Sequence, residues 1–574
     1  MSEPARESSS ARSEPTLPSA ESGLAETPDL YGAFPRLEAA QIEILAAHGV
    51  RRRTQVGEIL IADGEPPPAF FVVLSGLVAT VEGYRTPKER VVWVHGPGRF
   101  LGELGLLTGQ VSFFSSVVVS AGEVLAVPVQ DVRKIVTQDI GLGDEILRAY
   151  LLRRTEAIGL GAGFRIIGSR YSADTARLRT FASRNRLPHR FIDLETDVEA
   201  ERTLRRLGIP ANDIPLVVWG NRMLRNPSNA ELAEMIGLRT LTKVDATVCD
   251  LLVVGAGPAG LAAGVYGASE GLRTVVLDAM AAGGQAGTSS RIENYLGFPA
   301  GISGAELAER ALIQADKFGA RTQVPFTATS LRRENDGYRV GLADGGHATA
   351  RTVVVATGAR YRKLPVERLD EFEQSSVYYA ATQIEALLCA GDPVVVVGGG
   401  NSAGQAAVFL ANHARAIHLV VRELALDQNM SRYLADRILA HPRIEVLLHS
   451  EVRELLGEQG VLEAVVVEDT VTKQRRRLEA RELMVFIGAA PCTSWLAGSV
   501  DLDTGGYIRT GSAASERGAE AFAALERAPL PLETSSPGVF AAGDVRSGSV
   551  QRVASAVGEG AMAVRFVHEH LSGL

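Results

Sequence analysis

The pattern of apolar and polar positions divides the chain into three kinds of stretch. Between residues 31 and 160, short apolar runs alternate with glycine turns, as in Gly57-Glu58-Ile59-Leu60-Ile61, Asp63-Gly64-Glu65 and Phe70-Phe71-Val72-Val73-Leu74-Ser75-Gly76. Short strands at close spacing with turn signals between them predict an all-β roll or barrel. The spacing of Ile146-Leu147 and Tyr150-Leu151-Leu152 predicts a helix over 140–160 that closes this domain. From 163 to 240 the pattern is mixed, with a strand at Phe164–Gly168, a helix at Ala173–Arg186 and a strand at Phe191–Leu194. A charged helix follows, then a strand over Ile214–Gly220 entered through Pro215. From 247 onward, apolar strands feed glycine-rich turns and helices, first at Asp250–Gly260 and again at Val394–Ala403.

The bulk numbers narrow the class. A length of 574 residues suggests about three or four domains of ~150 residues. An apolar content of 46% and a charged content of 22% are ordinary for a globular protein. A net charge of −8 and a pI near 5.8 argue against a nucleic-acid partner, which requires a basic face. No apolar run approaches the ~18 residues of a membrane helix. The first 30 residues, rich in Ser, Glu, Pro and Ala, lack the apolar core of a secretory signal and are expected to be disordered. Three unpaired cysteines, Cys249, Cys389 and Cys492, fit a reducing cytoplasm, where each reads as a small buried apolar residue.

The order of the N-terminal glycines, followed by Gly102-Glu103-Leu104-Gly105-Leu106-Leu107, resembles a cyclic-nucleotide-binding domain. The resemblance implies that the Gly102-Glu103 turn opens a short helix whose amides face a cyclic phosphate, with Glu103 accepting from the ribose. The family's phosphate-neutralising arginine falls on Ser112. A buried phosphodiester then loses a charge-assisted bidentate contact. Sensing of a cyclic nucleotide and docking both stay open. No helix-turn-helix pattern follows, which removes a transcription-factor reading.

The second segment, with its proline before a late strand, resembles a thioredoxin or glutaredoxin fold. The dithiol of that family would fall on Ser172-Ala173-Asp174-Thr175, and a hydroxyl cannot replace a low-pKa thiolate in disulfide exchange. A redox-silent domain used for docking and spacing is expected.

In the third segment the glycines of Gly255-Ala256-Gly257-Pro258-Ala259-Gly260 permit a tight turn, close approach to a pyrophosphate and helix-on-sheet packing. Asp278 stands about 20 residues on, where an acid accepts from a ribose hydroxyl. Together with Gly398-Gly399-Gly400-Asn401-Ser402-Ala403, Ala356-Thr357-Gly358 and Gly538–Asp544, these turns resemble the two-dinucleotide-binding-domain flavoproteins. Gly283-Gly284-Gln285 and Ile292–Pro299 narrow the resemblance to the thioredoxin reductase branch.

The resemblance implies an FAD domain over 247–368 and 486–574, with an NAD(P) domain inserted over 369–485. It places Gly255, Gly257, Gly260 and Asp278 at the FAD adenosine and pyrophosphate. Gln285 and Asn294 approach the ribityl and flavin side, and Gly284, Thr357 and Gly358 are further cofactor-binding positions. Gly543 and Asp544 bind the ribityl chain, and Gln551-Arg552-Val553 stands in for the family's Arg-Gln-Ala. Gly398, Gly400, Ser402 and Ala403 hold the nicotinamide dinucleotide. Arg422, with Arg432, implies NADPH, while Glu423 in place of a second arginine leaves NADH open.

The family's Cys-Ala-Thr-Cys-Asp falls on Ala380-Ala381-Thr382-Gln383-Ile384, and the three cysteines present lie more than a hundred positions apart. Both sulfurs and the proton-donating acid are replaced. The expected reaction is hydride transfer from NAD(P)H to FAD, then reoxidation by an external acceptor such as ferredoxin, a quinone, another protein's disulfide or oxygen. A thioredoxin reductase acting on a partner disulfide and a flavin-based sensor are the alternatives. Family resemblance implies a homodimer.

Overall fold

The roll forms where the alternation places it. A computed structural model describes residues 24–573 except 103–109, 171, 221, 239–247, 290–291, 293, 335–336, 374–375, 380, 382–385, 387–388 and 459–460. After α1 (Ala39–Ala46), six strands follow: β1 (Val50–Thr54), β2 (Ile59–Ile61), β3 (Phe70–Glu82), β4 (Arg90–His95), β5 (Phe100–Leu101) and β6 (Ser115–Val127). They pair in the order β1-β6-β3-β4, with β2 on β6 and β5 on β3. Gly76 does not end β3 as a turn residue would. It sits at φ +83° in a register shift, where a Cβ would stand 2.5 Å from the Ser120 carbonyl oxygen. Gly76 is therefore a bulge that bends a long strand. The helices α2 (Val129–Gln138) and α3 (Ile140–Gly159) close the roll, and Asp139 caps α3 by accepting the Leu142 amide at 2.9 Å.

The mixed segment comprises β7 (Phe164–Gly168), α4 (Ala173–Arg184), β8 (His189–Asp193), α5 (Val198–Arg206), β9 (Leu216–Trp219), β10 (Arg222–Arg225) and α6 (Asn229–Met235). Its sheet order is β10-β9-β7-β8, with β8 parallel and β9 antiparallel to β7, and the Ile214–Pro215 peptide is cis. The helix α4 stops two residues before the predicted end because Asn185 caps it and Arg186 takes φ +50°. Phe34, Trp93, Phe113 and Phe114 of the roll share one core cluster with Phe164, Phe181 and Trp219.

The third segment begins with β11 (Cys249–Val254), α7 (Pro258–Ser269), β12 (Thr274–Leu277), α8 (Gly304–Lys317), β13 (Arg321–Gln323), β14 (Ala328–Glu334), β15 (Gly337–Leu342) and β16 (His347–Val355). The sheet runs β13-β12-β11-β16-β15-β14; β11, β12, β13 and β16 are parallel, and β14 and β15 form an antiparallel extension.

The chain divides into two compact units, and the second comprises Gly358–Thr493 with Leu502–Tyr507. That unit contains β17 (Ala359–Tyr361), α9 (Leu369–Phe372), β18 (Val377–Tyr378), β19 (Pro393–Val397), α10 (Asn401–Leu410), β20 (Ala416–Val420), α11 (Arg432–Leu439) and β21 (Ile444–Leu447). The antiparallel sheet of β22 (Ser450–Glu458), β23 (Val461–Asp469) and β24 (Arg475–Glu479) follows, then β25 (Glu482–Val485) and β26 (Ala489–Pro491). Its main sheet is parallel, ordered β18-β25-β19-β20-β21.

The first unit resumes with α12 (Ser515–Ala523), β27 (Val539–Ala541), which pairs with β16, and α13 (Val553–Ser572), which packs on α7. The segment 511–535 is anchored by Glu533, fully buried, which accepts from Arg527 at 2.6 and 2.8 Å and from the Leu530 and Gly538 amides at 2.7 and 2.8 Å. Among the described residues, no helix is long and apolar enough to cross a membrane.

Candidate functional site

In the first unit, β11 ends at Val254 and the chain turns through Gly255 and Gly257 into α7. Gly255 takes φ +108°, and a Cβ there would stand 2.3 Å from the Ala356 carbonyl oxygen, beside Thr357. At Gly260 a Cβ would lie 1.7 Å from the Gly255 oxygen, so any side chain would lift α7 off the turn. At Gly257 the nearest atom is Gly284 Cα, at 3.8 Å. The helix N-terminus is thus open at the point where backbone amides take up a pyrophosphate.

Asp278 follows β12. Its Oδ2 accepts the Ala256 amide at 2.8 Å, and its Oδ1 accepts those of Met280 and Ala281 at 2.8 and 3.0 Å. It fixes the turn through both carboxylate oxygens. The loop returns to the turn through Gly283, whose amide donates to Ala256 O at 2.7 Å, and Gly284 at φ +53°. Gln285 is exposed next to it, and Asn294 is exposed ahead of the stacked Tyr295–Phe298 pair. Gly543 donates its amide to Glu559 at 2.7 Å. Burial, and secondarily the Glu559 charge, raise the Asp544 carboxyl above its ordinary range. Gln551 and Arg552 are exposed, and Arg552 is the N-cap of α13, which Val553 begins. A cradle that side chains would fill, an open helix N-terminus and a half-buried carboxylate fit the adenosine, pyrophosphate and ribityl parts of FAD.

In the second unit, Gly358 takes φ +67° and its carbonyl accepts the Cys492 amide at 2.9 Å. Gly398 takes φ +141°, with a Cβ there 2.4 Å from Phe486 O, whereas the nearest atom at Gly400 is 3.9 Å away. Ser402 is exposed on the first turn of α10, and the buried Ala403 seats that helix against Gly398. The strand β20 ends at Val420, so Arg422 lies beyond it. Its side chain is 77% exposed, and its Nε donates to Glu423 Oε1 at 3.2 Å. Arg432 on α11 is exposed. Glu423 is the residue that lies against the glycine turn. A Cβ on Gly399 would stand 2.4 Å from its Oε2, an atom with no hydrogen-bond partner among the described residues. The sequence signal for this was the acid just past an apolar strand.

Cys249 is buried on β11 with Sγ donating to Thr349 O at 3.4 Å, and burial pushes its thiol up to about 12. Cys389 is fully buried in the core of the second unit, and Cys492 is half-buried. Ala380 and Gln383 lie outside the described residues, as does Glu103, while Gly102 directly follows β5 at φ +97°. Ser112 is buried. Its Oγ donates to Phe114 O at 2.7 Å and its amide to Glu65 O at 2.9 Å, next to the Phe113–Trp219 contact at 5.1 Å.

Residues 249–560, more than half of the chain, match the model for pyridine nucleotide-disulphide oxidoreductases. The chain belongs to that family. Residues 51–139 match the cyclic nucleotide-binding domain, so the roll is a domain of that kind. A relative described as "34.2 kDa protein in rubredoxin operon" from Clostridium pasteurianum is 32% identical over 56% of this chain and 97% of its own length. The thioredoxin reductase of Streptomyces clavuligerus is 32% identical over 57% of this chain and 95% of its own. The solved thioredoxin reductase of Streptococcus pyogenes MGAS5005 is 29% identical, covering 57% of this chain and 99% of that one, at a TM-score of 0.47. The chain is an oxidoreductase of the thioredoxin reductase kind, and members of that family bind FAD and NADPH.

Proposed function

We propose that this oxidoreductase passes electrons from NAD(P)H, by way of FAD, to an acceptor outside the polypeptide, with no resident dithiol. The observation that carries this reading is the cysteine inventory: three in 574 residues, none in Cys-x-x-Cys spacing, with Cys249 and Cys389 buried. Bound FAD supplies hydride acceptance and electron release. The chain supplies the seat: the Gly255–Gly260 turn and α7 for the pyrophosphate, Asp278 for turn and ribose, and Asp544 for the ribityl chain. In the second unit, Gly398–Ala403 receives the nicotinamide dinucleotide, and the exposed Arg422, with Arg432, offers a cation to a 2′-phosphate.

Ferredoxin, a quinone and a thioredoxin-like protein are the candidate acceptors. The rubredoxin-operon relative supports a small electron-carrier protein among them. The 163–240 segment, with its β10-β9-β7-β8 sheet, is read as a thioredoxin-like docking domain without redox chemistry. The buried, satisfied Ser112 supports docking over cyclic-nucleotide sensing for the roll. A cytoplasmic homodimer is the expected state.

The test is anaerobic flavin bleaching of the purified holoprotein by NADPH and by NADH, followed by thioredoxin, ferricyanide or a quinone in turn. Fast bleaching with turnover on the small acceptors supports the proposal. Turnover on thioredoxin alone would make the protein a thioredoxin-disulfide reductase, and absent bleaching would make it a sensor.

A further inference from the structure

We propose that Arg184 and Asn185, at the C-terminal end of α4, are positioning residues for FAD that hold loop 280–284 in the shape the dinucleotide turn requires. The inference rests on reading Gly255–Gly260 and Asp278 as part of the FAD site. Arg184 Nη2 donates to the Gly284 carbonyl at 2.6 Å, and Asn185 Nδ2 donates to the Met280 carbonyl at 3.0 Å. The Met280 side chain packs on the core cluster shared by the roll and the mixed sheet. One face of this loop is therefore held by residues outside the flavoprotein fold.

Its other face is the site. The Met280 amide donates to Asp278 Oδ1, and Asp278 Oδ2 accepts the Ala256 amide, both at 2.8 Å. A Cβ on Gly284 would lie 2.8 Å from Gly257 Cα, so the loop rests directly on the turn. A continuous series of hydrogen bonds thus joins α4 to the turn: Asn185 to Met280, Met280 to Asp278, Asp278 to Ala256. The α4 terminus is itself fixed by Arg154 of α3, which donates to the Asn185 and Arg186 carbonyls at 2.9 and 3.2 Å.

The loop contains Gly283 and Gly284, both at positive φ, and glycine loses the most conformational freedom on ordering. Anchors that order the loop before FAD arrives remove that cost from binding. Without them, FAD must order the loop itself and binds more weakly.

Flavin-free full-length protein is titrated with FAD, following quenching of flavin fluorescence. Arg184→Ala is expected to raise the Kd about tenfold, the effect of losing one charge-assisted hydrogen bond. Arg184→Lys, which keeps a donor, is expected to restore most of that affinity. Amide exchange at 280–284 in the flavin-free protein should quicken in Arg184→Ala only. An unchanged Kd in a folded Arg184→Ala protein overturns the inference. Should that variant not fold, Asn185→Ser replaces it, and an unchanged Kd there is equally decisive. Gly257→Val separates the two levels of the argument. If it binds FAD as the native chain does, the site reading itself falls; if it loses FAD while Arg184→Ala does not, only the positioning role falls.

Discussion

Glu423 lies against Gly399 at the second glycine turn, its Oε2 2.4 Å from where a Cβ on that glycine would stand. A carboxylate there accepts from a ribose hydroxyl and repels a 2′-phosphate, while the exposed Arg422 offers the phosphate a cation. Glu423→Arg is therefore expected to tighten NADPH binding by roughly tenfold and weaken NADH binding. Equilibrium titration of both nucleotides against both proteins measures it. Equal ratios of the two affinities would remove Glu423 from the specificity argument.

No thiol is expected to cycle during turnover. A chain carrying Cys249→Ala, Cys389→Ala and Cys492→Ala should keep its rate of flavin reduction and its turnover on ferricyanide. It should lose only about 1 kcal/mol of stability per buried site. Loss of turnover with flavin reduction intact would restore a sulfur relay.

Ser172 and Thr175 stand where a dithiol can be installed. Ser172 Oγ accepts the Thr175 amide at 3.3 Å at the start of α4, and Thr175 Oγ1 is buried without a hydrogen-bond partner among the described residues. With Ser172→Cys and Thr175→Cys together, the thiol at 172 faces the positive end of a helix and should titrate below about 8.5. The pH dependence of iodoacetamide labelling reports that value, and thiol counting before and after oxidation reports the bridge.

Arg527→Met leaves the Glu533 carboxylate, which is fully buried, without its cation. Breaking a buried pair on one side costs about 3–5 kcal/mol. Urea unfolding followed by flavin fluorescence should show that loss, and the Glu533→Gln, Arg527→Met double variant should recover part of it.

The roll should weaken in acid. Burial, then the Arg153 and Arg99 charges, hold His95 well below its ordinary pKa, and its Nε2 faces Thr80 Oγ1 at 3.2 Å. A depressed histidine pKa means the unfolded chain binds the proton first. The contribution is complete above about 6.5 and is lost as pH falls below it. His95→Asn should flatten the fall in melting temperature between pH 7.5 and 5.5; an unaltered slope assigns that fall to other groups.

Local signals carried most of the fold. The strand Phe164–Gly168 has the bounds its apolar run predicts, and the glycines at 255, 257, 398 and 400 sit in turns, with Gly260 in the first turn of α7. Gly76 reads as a turn but is a bulge, because the pairing partners at Ser120 and Ala121 that make it so are remote in sequence. Arg422 and Glu423 are both legible as an acid–base pair past a strand. Which one meets the turn depends on where β20 stops, and that end is set by its neighbour β21. Arg184 and Asn185 carry no signal at all, since polar residues at a helix end are ordinary until a second domain closes over them.

Glu309 on α8 ties the flavoprotein segment to both N-terminal segments. It is almost wholly buried, with Arg154 of the roll at 3.4 Å and Arg186 of the mixed segment at 2.6 Å, and Ile313 one turn on joins the roll's own core. A version begun at Cys249 would match the length of free-standing thioredoxin reductases, yet it would carry an unmatched anion and bare aliphatic surface on that helix. Excision of the reductase should therefore yield an aggregating fragment instead of a minimal enzyme.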